Sequence, residues 1–439
     1  MDLMTISRGL FGIVLLIFIA FLFSNSKKNI NWRLIITAVI LQIVFALFVL
    51  KTSIGQNIFG TISKGFVTIL QFSSQGGQFV FGNLGISPEG NNSLGFFFAF
   101  QVLPTIIFFA SLMAVLYHLG IMQKIVQAIA WFMSKTLGTS GAESLSVAAN
   151  VFIGQTEAPL VIRPYIATMT KSELLTMMTG GMAHIAGGVM AAYVLLLGSA
   201  FAKAQGWELG TAQVQFAGQL LAASVMSAPA TMLIAKILIP ENEEPMTRGS
   251  VKIQVEKTHS NVIEAAATGA SDGVRLAINI AGMLIAFIAI MSLLNFILEV
   301  IGNSSGLNEY LFATFGKNLS LEFMFGLVFQ FIAFGIGVPW NDALNVGSLM
   351  GIKLVLNEFV AYSRLAELIS QNALSVKAIT IATYALCGFA NFSSIAIQIG
   401  GISPLAENRR SDIAKLGLKA VLGGTLATLM TASIAGMIS

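Results

Sequence analysis

Apolar runs long enough to cross a hydrocarbon core recur from one end of this chain to the other. With near 20 residues needed per core of about 30 Å, the pattern predicts about eight spanning helices, at 7–24, 34–51, 96–118, 174–200, 214–239, 277–301, 375–400 and 413–438. A further run, 320–337, reads as the lead-in to a broken or re-entrant element. Between Thr52 and Ser93 the pattern changes. Ile54, Ile58, Phe59, Ile62 and Phe66 recur at helical spacing among polar residues, which predicts a helix lying in the membrane interface and a Gly/Ser/Asn-rich loop after it. The first run has no small-x-small cleavage site and is followed by Ser24-Asn25-Ser26-Lys27-Lys28, so it reads as a retained helix rather than a signal peptide.

Two stretches resist a simple spanning assignment. Residues 122–165 and 338–368 are apolar but interrupted by Gly, Pro, Gln, Glu, Asp and Asn, and each precedes two long apolar runs. Interrupted hydrophobic segments at matching positions of two halves point to a binding site near the bilayer midplane. Composition agrees: charged residues are 10% of the chain, against roughly 25% in soluble domains. The 42 glycines and 9 prolines are spread through apolar segments, as spanning helices permit. The single cysteine, Cys387, cannot form an internal disulfide. The few basic residues act as topology markers rather than as a nucleic-acid surface. Lys27, Lys28 and Arg33, then Arg248, Lys252 and Lys257, then Arg409 and Arg410 mark three loops; the excess of positive charge places these loops in the cytoplasm and both termini outside. The polar stretch 241–260, which also carries Glu241, Glu243 and Glu244, reads as a linker between halves.

Candidate chemistry follows from polar groups placed where apolar ones would be cheaper. Gly154-Gln155-Thr156-Glu157 lies in hydrocarbon and runs into Ala158-Pro159; Asn357-Glu358 lies between Leu354-Val355-Leu356 and Phe359-Val360; Asn391 and Ser394 lie three residues apart, which on a helix is one face; Asn150 and His184 are likewise isolated. A carboxylate at membrane depth marks function unless it is paired or wet, and broken backbone survives there only beside a cavity or inside protein. Ser393, Ser394 or Asn391 alone would read as helix-to-helix hydrogen bonding. Taken together the groups suit an uncharged, hydroxyl-rich ligand with a planar heterocycle: hydroxyls donate to Glu358, Asn391 and Ser394 bridge others, Gln155 and Glu157 read a ring edge, and Phe389 gives an apolar wall. Arg163 and Arg364 read as structural partners, Glu143 as first-turn charge at a helix start, Asp342 as a helix start after Pro339-Trp340, and His118 as interfacial.

Gly154-Gln155-Thr156-Glu157-Ala158-Pro159-Leu160, Gly337-Val338-Pro339-Trp340, Asn357-Glu358-Phe359-Val360-Ala361-Tyr362 and Cys387-Gly388-Phe389-Ala390-Asn391-Phe392-Ser393-Ser394-Ile395 resemble signature motifs of the concentrative nucleoside transporter family, in order along nearly the whole chain. The resemblance implies an all-α polytopic membrane protein of the bacterial type. It would have about eight transmembrane helices, two re-entrant helical hairpins and an interfacial helix, with an inverted-repeat transport domain on a scaffold domain and a homotrimeric assembly. It further implies import of nucleosides across the cytoplasmic membrane by an elevator-type movement coupled to sodium or protons, with no cofactor beyond that cation. By matching motif, Gln155, Thr156 and Glu157 would contact the nucleobase, Glu358, Asn391 and Ser394 the ribose, and Val189, Leu276 and Phe389 would line the pocket.

The family's sodium site corresponds to Asn150, backbone carbonyls at Ile153 and Ile185, and a hydroxyl side chain at the position held here by His184. An imidazole is a departure, since hard cations favour oxygen and histidine titrates near physiological pH. The expected organisation is 1–118 N-terminal helices and scaffold, 119–240 first hairpin and two helices, 241–276 linker and connecting helix, 277–337 scaffold helix and lead-in, and 338–439 second hairpin and last two helices. Two other classes compete. An intramembrane enzyme would use Glu157, Glu358 and His184 on a nucleoside-like substrate, but the sequence has no phosphate loop, metal-ligand cluster or nucleophile–base pair. A channel would want a repeated charged ring, which the sequence lacks.

Overall fold

The structure, a computed structural model, describes residues 3–86, 92–248 and 260–439, and over these it is helical with no strand. Lys252, Lys257 and residues 87–91 of the expected loops lie outside the described residues. The N-terminal part comprises α1 (Leu3–Leu22), α2 (Trp32–Lys51), α3 (Ser53–Phe81), α4 (Phe98–Gln101), α5 (Leu103–His118) and α6 (Ile121–Leu137). Then come α7 (Gly141–Asn150), α8 (Ala158–Val161), α9 (Arg163–Ile166), α10 (Lys171–Ala183), α11 (Gly187–Gln205) and α12 (Leu209–Leu238). The middle is α13 (Val262–Ser304), α14 (Leu307–Phe315) and α15 (Leu321–Gly335). The last part is α16 (Trp340–Val355), α17 (Glu358–Ser370), α18 (Val376–Leu386), α19 (Phe392–Ile402) and α20 (Arg410–Ile438). Among the described residues 7 helical segments are long and apolar enough to cross a membrane, or 8 if the pair α15–α16, bent by 118°, is one span.

One order of elements occurs twice. A hairpin (α7 with α8 and α9) leads to a broken helix (α10, α11) and a long buried helix (α12); a second hairpin (α16, α17) leads to a broken helix (α18, α19) and a long buried helix (α20). The first interrupted region is therefore narrower than 122–165, because α6 is a separate amphipathic helix and the hairpin begins at Gly141. Its second arm is short and jointed because Pro159 and Pro164 each sit at a helix start, where the missing N–H costs nothing. α12 and α20 form the centre of the molecule, 89% of each apolar window being buried, while α13 has 11% buried and presents its length outward.

The runs 174–200 and 375–400 are not continuous spans. The first breaks where His184 adopts extended backbone (φ −117°, ψ 167°) before Gly187 restarts a helix. The second breaks over Cys387–Asn391, where Gly388 takes φ +113°. The two breaks cross: a Cβ on Gly388 would lie 2.7 Å from the Met182 carbonyl oxygen and 2.8 Å from the Ala183 carbonyl carbon. Only glycine fits there, on both conformation and space. α3 is one helix of 29 residues with Ile54, Ile58 and Ile62 projecting outward and Gly55, Ser63, Ser73 and Gly77 turned inward, a distribution suited to an interfacial position.

Candidate functional site

The second hairpin turns at Leu356–Asn357, and Asn357 caps α17 by accepting from the Val360 N–H at 2.9 Å. Glu358 is thus the first residue of α17, where the helix dipole favours an anion. Its side chain is buried (5% exposed). One carboxylate oxygen accepts from Asn391 Nδ2 at 3.0 Å and the other from the Tyr193 hydroxyl at 3.4 Å. Asn391 is itself the N-cap of α19: its Oδ1 accepts from the Ser394 N–H at 2.9 Å and from the Ser393 hydroxyl at 2.7 Å. Asn391 and Ser394 therefore meet through a cap and not through a shared helical face as the spacing suggested. Ser394 Oγ in turn accepts from Gln155 Nε2 at 3.1 Å. Gln155, Ser394, Asn391, Glu358 and Tyr193 thereby form one hydrogen-bonded line across the tip of the first hairpin, the start of α19, the start of α17 and α11.

Beside this line lies a cavity of ≈ 510 Å³ between the first hairpin, α5, α13 and the start of α11, with Tyr117, Glu157, Arg163, Val189, Asp272 and Leu276 among its walls. Of the sequence-predicted set it takes in Ile153, Glu157, Val189 and Leu276. Glu157 is exposed to it, Gln155 is buried behind the tip, and Thr156 is half-buried. Glu358, Asn391, Ser394 and Phe389 lie outside its lining, the first three being buried and Phe389 half-buried.

Asn150 ends α7, with Nδ2 donating to the Ser146 carbonyl at 3.0 Å and Oδ1 buried without a partner. A Cβ on Gly180 would lie 3.3 Å from Asn150 Nδ2, so the last turns of α7 and α10 touch. His184 Nδ1 is 2.8 Å from the Gly180 carbonyl oxygen. A carbonyl can only accept, so Nδ1 carries the proton and Nε2 of a neutral ring is the lone-pair end; it too is buried without a partner. Ile185 is buried and Ile153 half-buried nearby in sequence. Among the described residues no group of three or more His, Cys, Asp or Glu is arranged to hold a metal ion.

Sequence reasoning missed four residues. Tyr193 lies in an apolar run and carries no signal of its own. Gln398, fully buried, donates to the Met178 carbonyl at 2.9 Å and ties α19 to α10. Lys236, in α12, pairs with Glu143 at 2.8 Å and with Glu241 at 3.2 Å, so Glu143 is an ion-pair partner as well as half of a capping box with Ser140. Lys353, buried in α16, donates to the Ala385 carbonyl at 2.9 Å, the Thr428 hydroxyl at 3.2 Å and the Cys387 carbonyl at 3.4 Å. Both lysines stood out as charges in apolar sequence, the signal already applied to the glutamates. Of the remaining charges, Arg364 pairs with Glu367 and Asp342 accepts from the Ser375 hydroxyl at 2.5 Å, structural roles in keeping with expectation.

A polytopic helical fold with two hairpins, two crossed broken helices and buried polar groups at their junction is that of a secondary transporter. Family profiles described as Na+ dependent nucleoside transporter N-terminus, nucleoside recognition (gate) and Na+ dependent nucleoside transporter C-terminus match residues 11–84, 99–200 and 219–436. The uncharacterized transporter YutK of Bacillus subtilis is 46% identical, covering 99% of this chain and 100% of that one. The nucleoside permease NupC of Helicobacter pylori is 40% identical, covering 97% and 96%. The transporter CNTnw in an inward-facing substrate-bound state superposes with TM-score 0.85 at 42% identity over 99% and 98% of the two chains. A double variant of it in an outward-facing state gives 0.88 at 42% identity over 100% and 98%. The chain belongs to the concentrative nucleoside transporter family; it is a membrane carrier and not an enzyme.

Proposed function

We propose that this protein imports nucleosides across the cytoplasmic membrane in symport with a cation, by an elevator-type movement. The observation that carries the reading is the hydrogen-bonded line from Gln155 to Glu358 beside the cavity at Glu157. Glu358 and Asn391 exchange their mutual hydrogen bond, and Ser394 its bond from Gln155, for the ribose hydroxyls, which can both donate and accept. Gln155, Thr156 and Glu157, carried on the hairpin tip, read the nucleobase edge, with Val189, Leu276 and Phe389 as apolar walls. Because Glu358 sits outside the cavity lining, the ligand enters at Glu157 and the second hairpin opens the ribose subsite to it.

The moving part comprises the two hairpins, the two broken helices, α12 and α20; α3, α5 and α13 form the static frame, whose outward α13 face suits a homotrimer. The cation binds at Asn150 Oδ1 and His184 Nε2, both buried without a protein partner, together with carbonyls at Ile153 and Ile185. That cation is sodium or a proton: an imidazole replaces an oxygen ligand, which disfavours sodium, and is itself a group that can carry a proton. The Na+ dependent description of the family favours sodium at the same place, so one measurement separates the two. In proteoliposome counterflow and uptake, with and without sodium and across pH, a proton carrier acidifies the compartment receiving the nucleoside and ignores sodium removal. Uptake that collapses without sodium at constant pH rejects proton coupling. Release of a chemically altered nucleoside, or ion conduction without saturable nucleoside dependence, rejects symport itself.

A further inference from the structure

The two halves of the fold treat their broken helices differently, and the difference is one amine. In the first half, the long helix α12 carries Ser227 and Thr231, whose buried hydroxyl oxygens have no partner; Asn150 Oδ1 and His184 Nε2 are in the same condition. A Cβ on Gly180 would lie near both the Asn150 amide (3.3 Å) and the Thr231 methyl (3.7 Å), so three elements (α7, α10, α12) converge at the break. In the second half, the same three kinds of element converge. Lys353 comes from the first arm of the hairpin, the Ala385 and Cys387 carbonyls from the end of the broken helix, and the Thr428 hydroxyl from the long helix α20. The ammonium is 4% exposed as a residue, and among the described residues it has no carboxylate within ion-pair distance. Its ligands are neutral oxygens at a half-helix C-terminus, the set that holds a small monovalent cation in carriers with broken helices.

We propose that Lys353 is a tethered cation: its ammonium occupies in the second half the place that the exchangeable cation occupies in the first, so the carrier binds one mobile cation where its repeated architecture offers two positions. The first-half part of this statement rests on the cation site described under the proposed function; the second-half part rests on the Lys353 contacts alone. Lys353 is a positioning residue, holding the carbonyls that end α18 while Glu358, on the other arm of the same hairpin, holds the Asn391 cap that starts α19.

The test uses purified full-length protein, wild type, Lys353→Ala and Lys353→Met, with thermal melting and proteoliposome uptake measured in choline buffer and titrated with sodium or ethylammonium. Alanine leaves room for a free cation; methionine fills it. Both variants are expected to lose stability and about tenfold in uptake, the scale of stripping a charged donor from buried carbonyls. Ethylammonium or sodium then restores both properties saturably in Lys353→Ala, while the melting of wild type and Lys353→Met stays indifferent to ethylammonium. A simple packing role would not create that cation dependence. The proposal is overturned if Lys353→Met is as stable and active as wild type. It is equally overturned if neither cation rescues Lys353→Ala, including failure to fold in their presence. Wild-type uptake that depends on neither sodium nor pH rejects the first-half site, and rescue of Lys353→Ala by ethylammonium still stands or falls separately.

Discussion

At the scale of single residues, the chemistry concentrates at Glu358. Its carboxylate stands at a helix N-terminus and holds two donors, Asn391 and Tyr193. Glu358→Gln keeps the shape but replaces one acceptor oxygen by a donor, which faces Asn391 or the ribose with the wrong polarity. Losing charged hydrogen bonds of this kind costs about 1.5–3 kcal/mol each, so uridine uptake is expected to fall at least about tenfold by the same energy scale, with free nucleobases remaining poor ligands. Undiminished uptake in that variant would remove Glu358 from the ribose subsite. Glu157 behaves differently, being exposed to the cavity and free of the buried line. Glu157→Gln is expected to change the ratio of purine to pyrimidine uptake more than the maximal rate; an unaltered ratio in competition assays would rule out nucleobase contact. Both glutamates were legible in the sequence because charge in hydrocarbon is rare enough to stand out. Tyr193 was not, since a tyrosine in an apolar run is an ordinary core residue until its hydroxyl partner is known. Asn391 and Ser394 meet, but by a different geometry from the one the spacing suggested, because an Asn cap and a helical face both place partners three residues apart.

Elements set where those residues stand. Both breaks were invisible in the runs 174–200 and 375–400, because a break here needs no proline: a few residues suffice, extended at His184 and Ala186 in the first and around a positive φ at Gly388 in the second. Hydropathy averages over a window and cannot resolve that. The interrupted hairpins were legible, since Pro159, Pro164 and Pro339 leave a mark in composition, although α6 was merged with the first of them. Gly388→Ala should separate the crossed breaks. The backbone conformation alone costs of order 1–3 kcal/mol, and a Cβ would press on the Met182 and Ala183 carbonyls. Loss of both thermal stability and uptake is expected, and a variant melting like wild type would refute the crossing. A second weld lies at the other end of the first half, where Lys236 joins Glu143 and Glu241. Lys236→Ala strands a buried Glu143 and is expected to cost about 3–5 kcal/mol, whereas Lys236→Met with Glu143→Gln should recover much of it. If the double variant melts no higher than the single one, the loss lies in packing and not in the stranded charge.

For the whole molecule, the question is which surfaces slide. α12 and α20 are buried among the repeated elements, and α5 packs against the outward-facing α13; on the proposed elevator reading the site rests on one body and the cavity is closed by another. An elevator requires that α11, which carries Val189 and Tyr193, move along α5. The structure supplies a way to stop it: a Cβ at Gly188 would lie 3.5 Å from that of Phe109, within the range a disulfide needs, about 3.5–4.5 Å. The native Cys387 is buried and lies outside the cavity lining. With cysteines at both positions, uptake by the reduced protein serves as the control, since Gly188 lines the cavity. Oxidation should then abolish uptake and reduction restore it, while nucleoside binding to the cross-linked protein persists, because the bond fixes the two bodies without occupying the subsite at Glu358. Uptake that survives quantitative cross-linking would mean that α11 and α5 travel together, and access would have to alternate by hairpin opening around a stationary site.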